Sequence, residues 1–549
     1  MRGWPMSEWK DLNRVKGESG APARFGDATT LEVVGARDML GRLRPLSEAG
    51  RARAARVHVY RGDEVARWDA EVARLRTLDL WHQDHAEVQR PIDDALRELP
   101  ALERPLRRLQ LGEVLRDAEL FEVKRFLFHA LTILQAAGSA DGLPAPGEPG
   151  YEVLRETMSA MHPEAQASAR FHLSDQLDGE LARARKAHRR AGRELRKVRD
   201  AAEAQICERW GGRFDVRGRY RPEAGVTLDD QRLAYQGGAW QLVDEAVVEA
   251  EAAQARVAEE VEAREQQLRG RLSELLQRAL PQLEGTIEAL ARFDEGRARV
   301  RLREAIGGCW PERREGAALH LVQGRDPRQV DRIGDEVQPI DVALDAPVTV
   351  VLGPNMGGKS ALLKLVGLCQ FCAQAALPVP AERCTFGMLE GLIYVGSEEG
   401  GAAEEEGLSS FGREVRRLVA HWEGAVPRLW LLDEPGRGTH PAEGARFARS
   451  VIEARQRAGD RVVAATHFPE IAAADTVARL RIRGLRVSDE ALRLALSAGD
   501  SPPERDLDRL TSKLRALMDY RPEPSLATDV PRDAWRVARA LGLKLDDER

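Results

Sequence analysis

The chain has 549 residues, 83 Lys+Arg against 89 Asp+Glu, a formal charge of −6 and a pI near 6.1. That length exceeds one ordinary core, so about three or four domains are expected. The near balance of charge excludes a general electrostatic footprint for nucleic acid and leaves only local patches for it. Five cysteines, Cys207, Cys309, Cys369, Cys372 and Cys384, are too few and too scattered for a disulfide framework. No apolar run approaches the roughly 18 residues of a membrane span, and the N-terminal stretch has no signal-peptide core. A cytoplasmic protein with reduced thiols and no membrane partner is expected.

Residues 1–29 are polar and glycine-bearing and read as a loosely ordered lead-in. From Thr30 the spacing turns helical: Leu31 and Val34, Leu40 and Leu43, then repeated apolar positions from Val65 to Leu78, from Ala95 to Leu111 and from Leu120 to Leu127. An all-α core over 30–173 is expected. Within it the Gly/Pro-rich stretch 138–150 is a turn between helical layers.

Two long, oppositely charged helices follow in a segment read as 174–290. The first carries Arg183, Arg185, Lys186, Arg189, Arg190, Arg193, Arg196, Lys197 and Arg199; the second carries Asp244, Glu245, Glu249, Glu251, Glu259, Glu260, Glu262 and Glu265. The economical reading is an antiparallel lever arm whose two helices neutralise one another, with a small strand-bearing tip at 208–242; the other reading of the basic helix is a nucleic-acid stripe. At the tip Arg213, Arg217, Arg219, Tyr220 and Arg221 combine cations with an aromatic ring, which suits phosphate and base contacts, or a protein partner equally well.

A helical connector at 291–317 ends near Gly307-Gly308, and strand-like Leu319–Val322 opens an α/β domain read as 318–490. There the β-branched run Val348–Leu352 stops at Gly353-Pro354-Asn355-Met356-Gly357-Gly358-Lys359-Ser360, and an apolar helical pattern continues to Leu368. Strand, GxxxxGKS and helix form a P-loop in its proper context. Glycines let backbone N–H groups curl round phosphate oxygens at the positive end of a helix. Lys359 would reach the β and γ phosphates of ATP, and Ser360 would ligate Mg²⁺. The apolar strand Arg428–Leu432 then delivers Asp433 and Glu434, a Walker B element: Asp433 for Mg²⁺ and Glu434 to polarise the attacking water. A third strand, Arg461–Thr466, ends at His467, placed to sense the γ-phosphate. Cys369-x-x-Cys372 has no second ligand pair, so buried thiols are expected rather than a metal site.

With these residues in order, the chain resembles the ATPase domain of the MutS family. The resemblance lies in GPNMGGKS at Gly353–Ser360, LSSF at Leu408–Phe411, LLDEPGRGTHP at Leu431–Pro441 and ATHF at Ala465–Phe468. It covers roughly 318–485 and is closest to the branch not devoted to mismatch recognition, whose longer members end in an Smr nuclease domain. SMC-type ATPases place the P-loop before the coiled coil and carry LSGGQ; here the arm comes first and the signature position reads Leu408-Ser409-Ser410-Phe411-Gly412. The resemblance implies an α/β C-terminal P-loop ATPase of the ABC/MutS type preceded by an all-α core and lever. It also implies a homodimer, with the C-terminal helical segment at 491–549 serving dimerisation. In such a dimer Ser409 and Ser410 would complete the partner's ATP site.

Three departures limit what carries over. Only about 30 residues precede the helical core, so no mismatch-reading domain is expected, and the chain stops at Arg549, so no nuclease site is assigned. Pro435 replaces an apolar β-former after the Walker B acids, and acidic residues crowd 398–406. The expected function is therefore an ATP-driven clamp on branched or noncanonical DNA, in repair or recombination. The alternative is a reactivating ATPase for a cobalamin-dependent aminomutase of the lysine 5,6-aminomutase type, a role associated with a MutS-like ATPase of about this length.

Overall fold

The computed structural model describes residues 25–161, 175–316, 318–354, 358–396, 410–472, 477–497, 513–525 and 533–540. Contacts divide the chain into two compact units. The first gathers the chain up to Leu46, Gly50–Ala86 and everything from Ala291 on; the second holds Ser47–Ala49 and Glu87–Leu290. The chain opens with helices α1 (Ala28–Val33), α2 (Ala36–Arg42), α3 (Glu48–Ala54) and α4 (Val65–Asp84). Asp27 starts α1 as its N-cap, its carboxylate accepting the Thr30 backbone N–H at 2.8 Å.

The second unit contains α5 (Ala86–Glu98), α6 (Glu103–Gln110), α7 (Asp117–Ala137) and α8 (Pro149–Met161), followed by the arm. α9 (Gly179–Trp210) and α10 (Glu245–Arg278) each start on an aspartate N-cap, Asp178 and Asp244, and α9 stops at Gly211 with φ +70°. Arg185 pairs with Glu265, and Arg199 with Glu251. The partner number falls as the first rises, so the two helices run antiparallel. Between them β1 (Arg213–Phe214), β2 (Arg219–Arg221), β3 (Leu233–Gln236) and β4 (Ala239–Leu242) form an antiparallel sheet in the order β1-β2-β4-β3 around Ile206, Tyr220 and Leu233. α11 (Leu280–Ala305) follows, its residues from Ala291 on belonging to the first unit.

In the first unit β5 (Glu312–Arg313), β6 (Leu319–Gly324), α12 (Pro327–Ile333), β7 (Ile340–Leu344), β8 (Val348–Leu352), α13 (Lys359–Gln374), β9 (Arg383–Phe386) and β10 (Gly391–Val395) come first. Then follow α14 (Ser410–Ala420), β11 (Arg428–Asp433), α15 (Pro441–Arg457), β12 (Arg461–Ala465), α16 (Pro469–Ala472), β13 (Ala478–Leu485), α17 (Asp489–Ser497), β14 (Met518–Pro524) and α18 (Asp533–Ala540). The main sheet runs β10-β11-β12-β8-β13-β14; its first five strands are parallel and β14 is antiparallel to β13. Strands buried on both faces read as continuous apolar runs, and every residue of β8, β10 and β11 is buried. A second sheet, β5-β9-β6-β7, lies in the same unit.

Residues 50–86, read from sequence as part of a separate helical core, pack here against the nucleotide domain. Trp68 on α4 is 3% exposed and its Nε1–H donates to Ala373 O at 2.8 Å, while the Gln374 amide donates to Tyr60 O and Leu389 O. Amphipathic spacing shows that a helix buries one face; it does not show which layer receives that face. Among the described residues no helix is long and apolar enough to cross a membrane.

Candidate functional site: the P-loop and the Walker B turn

β8 and β11 flank β12, so the loops after all three strands emerge at one edge of the sheet, the position where open α/β sheets bind ligands. Gly353 and Pro354 follow β8; Asn355, Met356 and Gly357 lie outside the described residues. Gly358 then caps α13 with φ +86°, a left-handed conformation that suits glycine. A side chain there would also meet the Tyr520 ring, whose Cδ1 stands 2.8 Å from an added Cβ. Lys359 and Ser360 open α13, where unpaired N–H groups and the helix dipole favour an anion.

The Lys359 ammonium is 5% exposed and donates to the carbonyls of Gly353 (2.9 Å) and Pro354 (3.1 Å). It stands 3.9 Å from Glu434 Oε1. Burial lowers its pKa, and the carboxylates of Glu434 and Asp433 partly offset this.

Asp433 closes β11. Its Oδ2 accepts the Tyr394 hydroxyl proton at 2.8 Å, while its Oδ1 is buried with no hydrogen-bond partner among the described residues. A buried, uncompensated carboxylate oxygen is costly unless a cation or ordered water completes it. The Asp433 oxygen is thus a donor that fits a hard, oxygen-seeking ion such as Mg²⁺, and the Ser360 hydroxyl at the start of α13 is a second donor of that kind. Glu434 takes φ +54°, a left-handed conformation that costs a non-glycine residue of order 1–3 kcal/mol. Its N–H bonds Ala465 O at 2.8 Å, and its Oε2 accepts from Arg437 at 2.6 Å.

The turn beyond is held from α14. The Glu414 carboxylate accepts the Gly436 N–H at 2.9 Å, and burial raises the Glu414 pKa. Gly436, at φ +78°, lets the chain pass so near Gly444 that a Cβ would lie 2.5 Å from the Gly444 carbonyl oxygen. Ser410, the first residue of α14, places its hydroxyl against Gly438 of the same loop, and Ser409 lies outside the described residues. His467 follows β12, exposed and stacked at a tilt on Phe468 with centroids 4.2 Å apart. It makes no hydrogen bond among the described residues. Cys369 and Cys372 are fully buried within α13, and burial pushes both thiols up.

One feature beside the P-loop is not visible in the sequence. A cavity of about 240 Å³ opens beside Gly358, bordered by Gln329, Gln338, Leu365, Arg515 and Tyr520. Gln338 fixes its β14 wall, donating to Met518 O at 2.7 Å and accepting the Tyr520 N–H at 3.1 Å. Burial raises the Tyr520 pKa. The cavity combines a flat ring, apolar surface and amide groups with the charged side chains Arg325, Asp326, Arg332 and Glu336.

The arm tip, in the second unit, corrects the sequence reading at one position. Tyr220, expected as an aromatic contact, is 2% exposed; its ring packs on Phe214 and its hydroxyl donates to Gly211 O at 2.5 Å. Alternation along β2 turns it inward. Arg219 is engaged by Asp215 at 3.1 Å; Arg221 lies 3.7 Å from the same carboxylate and, like Arg213 and Arg217, is exposed.

A P-loop lysine, an aspartate with an unpartnered buried oxygen and a neighbouring glutamate at one sheet edge define the nucleotide site of a P-loop ATPase. Residues 349–496 match the family described as MutS domain V, an ATPase domain. The chain is similar to proteins named Endonuclease MutS2. That of Pelotomaculum thermopropionicum is 36% identical over 191 residues, 34% of this chain and 23% of the relative. That of Exiguobacterium sibiricum is 33% identical over 266 residues, 47% of this chain and 32% of the relative. That of Solidesulfovibrio magneticus is 34% identical over 218 residues, 39% of this chain and 26% of the relative. The chain thus spans less than a third of the length of each of these relatives.

Proposed function

We propose that the chain is a dimeric, Mg²⁺-dependent ATPase of MutS type that clamps branched or otherwise noncanonical DNA, in repair or recombination, without reading mismatches. The observation that carries the reading is the pairing of a MutS domain V site with an antiparallel arm of 32- and 34-residue helices. In this reading the base of ATP enters the cavity at Tyr520, and the triphosphate lies along Gly353–Ser360. Lys359 exchanges the carbonyls of Gly353 and Pro354 for the β and γ phosphates. Ser360 and Asp433 Oδ1 hold Mg²⁺, which would neutralise charge developing on the phosphates. Glu434 orients the attacking water and accepts its proton, giving ADP and phosphate. His467, at the end of β12, faces the γ-phosphate. In a dimer, Ser409 and Ser410 of each subunit close the other's site, so hydrolysis is coupled to arm position.

ATP turnover measured with linear duplex, four-way branched DNA and an aminomutase client in turn tests the reading. Stimulation by branched DNA is expected. Stimulation by the client alone would replace it with the reactivating role.

A further inference from the structure

The sequence allows two readings of the basic run of α9, neutralisation by α10 or a nucleic-acid stripe. Among the described residues, Arg185 and Arg199 of that run form ion pairs with α10. Lys186, Arg189, Arg190, Arg193 and Arg196 are exposed and have no ion-pair partner among the described residues. At 3.6 residues per turn they share one face of α9. The buried positions Leu181, Ala184, Ala202 and Ile206 lie on the opposite face.

We infer that this outward face of α9 is a phosphate-tracking surface for duplex DNA that lies along the arm, rather than at its tip. The inference rests on the DNA reading above. From Lys186 to Arg196 the helix rises about 15 Å, which matches about four successive phosphates of one strand at 3.4 Å each. Four of the five cations are arginines, whose planar forks bind phosphate in bidentate fashion. The stripe contains no apolar or aromatic side chain, which disfavours the desolvated centre of a protein interface and the wedge of a membrane-surface helix. The outward carboxylates of α10 are interrupted by exposed Arg256, which makes a second copy of the arm a poor counterpart. The tip is the weaker candidate, because Asp215 engages Arg219 and approaches Arg221, and Tyr220 is buried.

The test is fluorescence anisotropy of the full-length protein on a labelled 30-base-pair duplex across a salt series. It compares the wild type with two variants: Arg189→Ala, Arg190→Ala, Arg193→Ala, Arg196→Ala together, and Arg213→Ala, Arg217→Ala, Arg221→Ala together. Alanine favours helix at exposed positions, and helicity by circular dichroism checks the fold. Each lost phosphate contact lowers the log–log salt slope by about 0.9. The α9 variant should lose about three to four units of slope and the tip variant about one or less. Replacing the same four α9 arginines by lysine should restore most of the slope. If the α9 variant keeps the wild-type slope and the tip variant loses it, the inference falls and the clamp reading stands. If the wild-type protein binds anionic vesicles or an acidic protein but no duplex at low salt, both fall.

Discussion

The Tyr394 hydroxyl donates a 2.8 Å hydrogen bond to Asp433 Oδ2, from the neighbouring strand β10 to the end of β11. It satisfies one carboxylate oxygen and leaves Oδ1 as the oxygen available to a cation. Tyr394→Phe should remove that restraint and leave a buried oxygen unsatisfied, a cost of about 1–3 kcal/mol. The Mg²⁺ concentration for half-maximal turnover should rise several-fold, while ATP binding in the presence of chelator stays unchanged. Nucleotide titrations with and without chelator separate the two. An unaltered Mg²⁺ dependence would remove Tyr394 from this role.

Glu434 is the carboxylate that combines proximity to Lys359 with a strained turn, and in the proposed reading Asp433 serves the cation. Glu434→Gln should keep ATP affinity and lose about 10²-fold or more in kcat, the usual worth of a positioned base. Lys359→Ala should instead weaken ATP binding itself. Equilibrium binding of a fluorescent ATP analogue beside steady-state turnover distinguishes them, and near-normal hydrolysis in the glutamine variant would sink the assignment.

Tyr520 presses against Gly358 at the mouth of the cavity. If the base stacks on its ring, Tyr520→Ala should cost about 1–3 kcal/mol of ATP affinity, the range of one base–aromatic stack. Affinity for inorganic triphosphate should not change, because the P-loop contacts are intact. Isothermal titration with both ligands checks this. An equal loss for both would mean that the ring supports the loop and not the base.

The legible and illegible parts of the site differ in how they are built. β8, β11 and β12 could be read because a parallel strand buried on both faces leaves an unbroken apolar run, and each ends in the residues of its motif. The cavity could not, since Gln338, Gly358 and Tyr520 meet only after β14 has paired with β13. Residues 50–86 fall within the helical core expected over 30–173 and pack on the nucleotide domain, because helical periodicity says nothing of the receiving layer. The outward turn of the α9 arginines was readable in principle: Lys186, Arg190 and Arg193 repeat at helical spacing away from Ala184 and Ala202. A balance of opposite charges on two helices does not show it, because a charge balance carries no direction.

The shared-site expectation turns on Ser409 and Ser410, placed by the sequence between the P-loop helix and the Walker B strand. Ser410 opens α14, and Glu414, one turn on, holds Gly436 of the Walker B turn. A shift of α14 on meeting a second subunit's nucleotide would therefore be felt at the turn that carries Glu434. A hydroxyl and a backbone N–H delivered by that helix would stabilise γ-phosphate charge only when two subunits close. Subunits bearing Lys359→Ala and subunits bearing Ser409→Ala with Ser410→Ala should each form inactive dimers. Mixed together, they should give a heterodimer in which one of the two composite sites carries neither defect, so turnover should recover to about half of the wild-type value per dimer if sites act independently. Heterodimer formation is followed with two affinity tags and turnover on the doubly purified species. No recovery in a confirmed heterodimer would place both serines in the site of their own subunit.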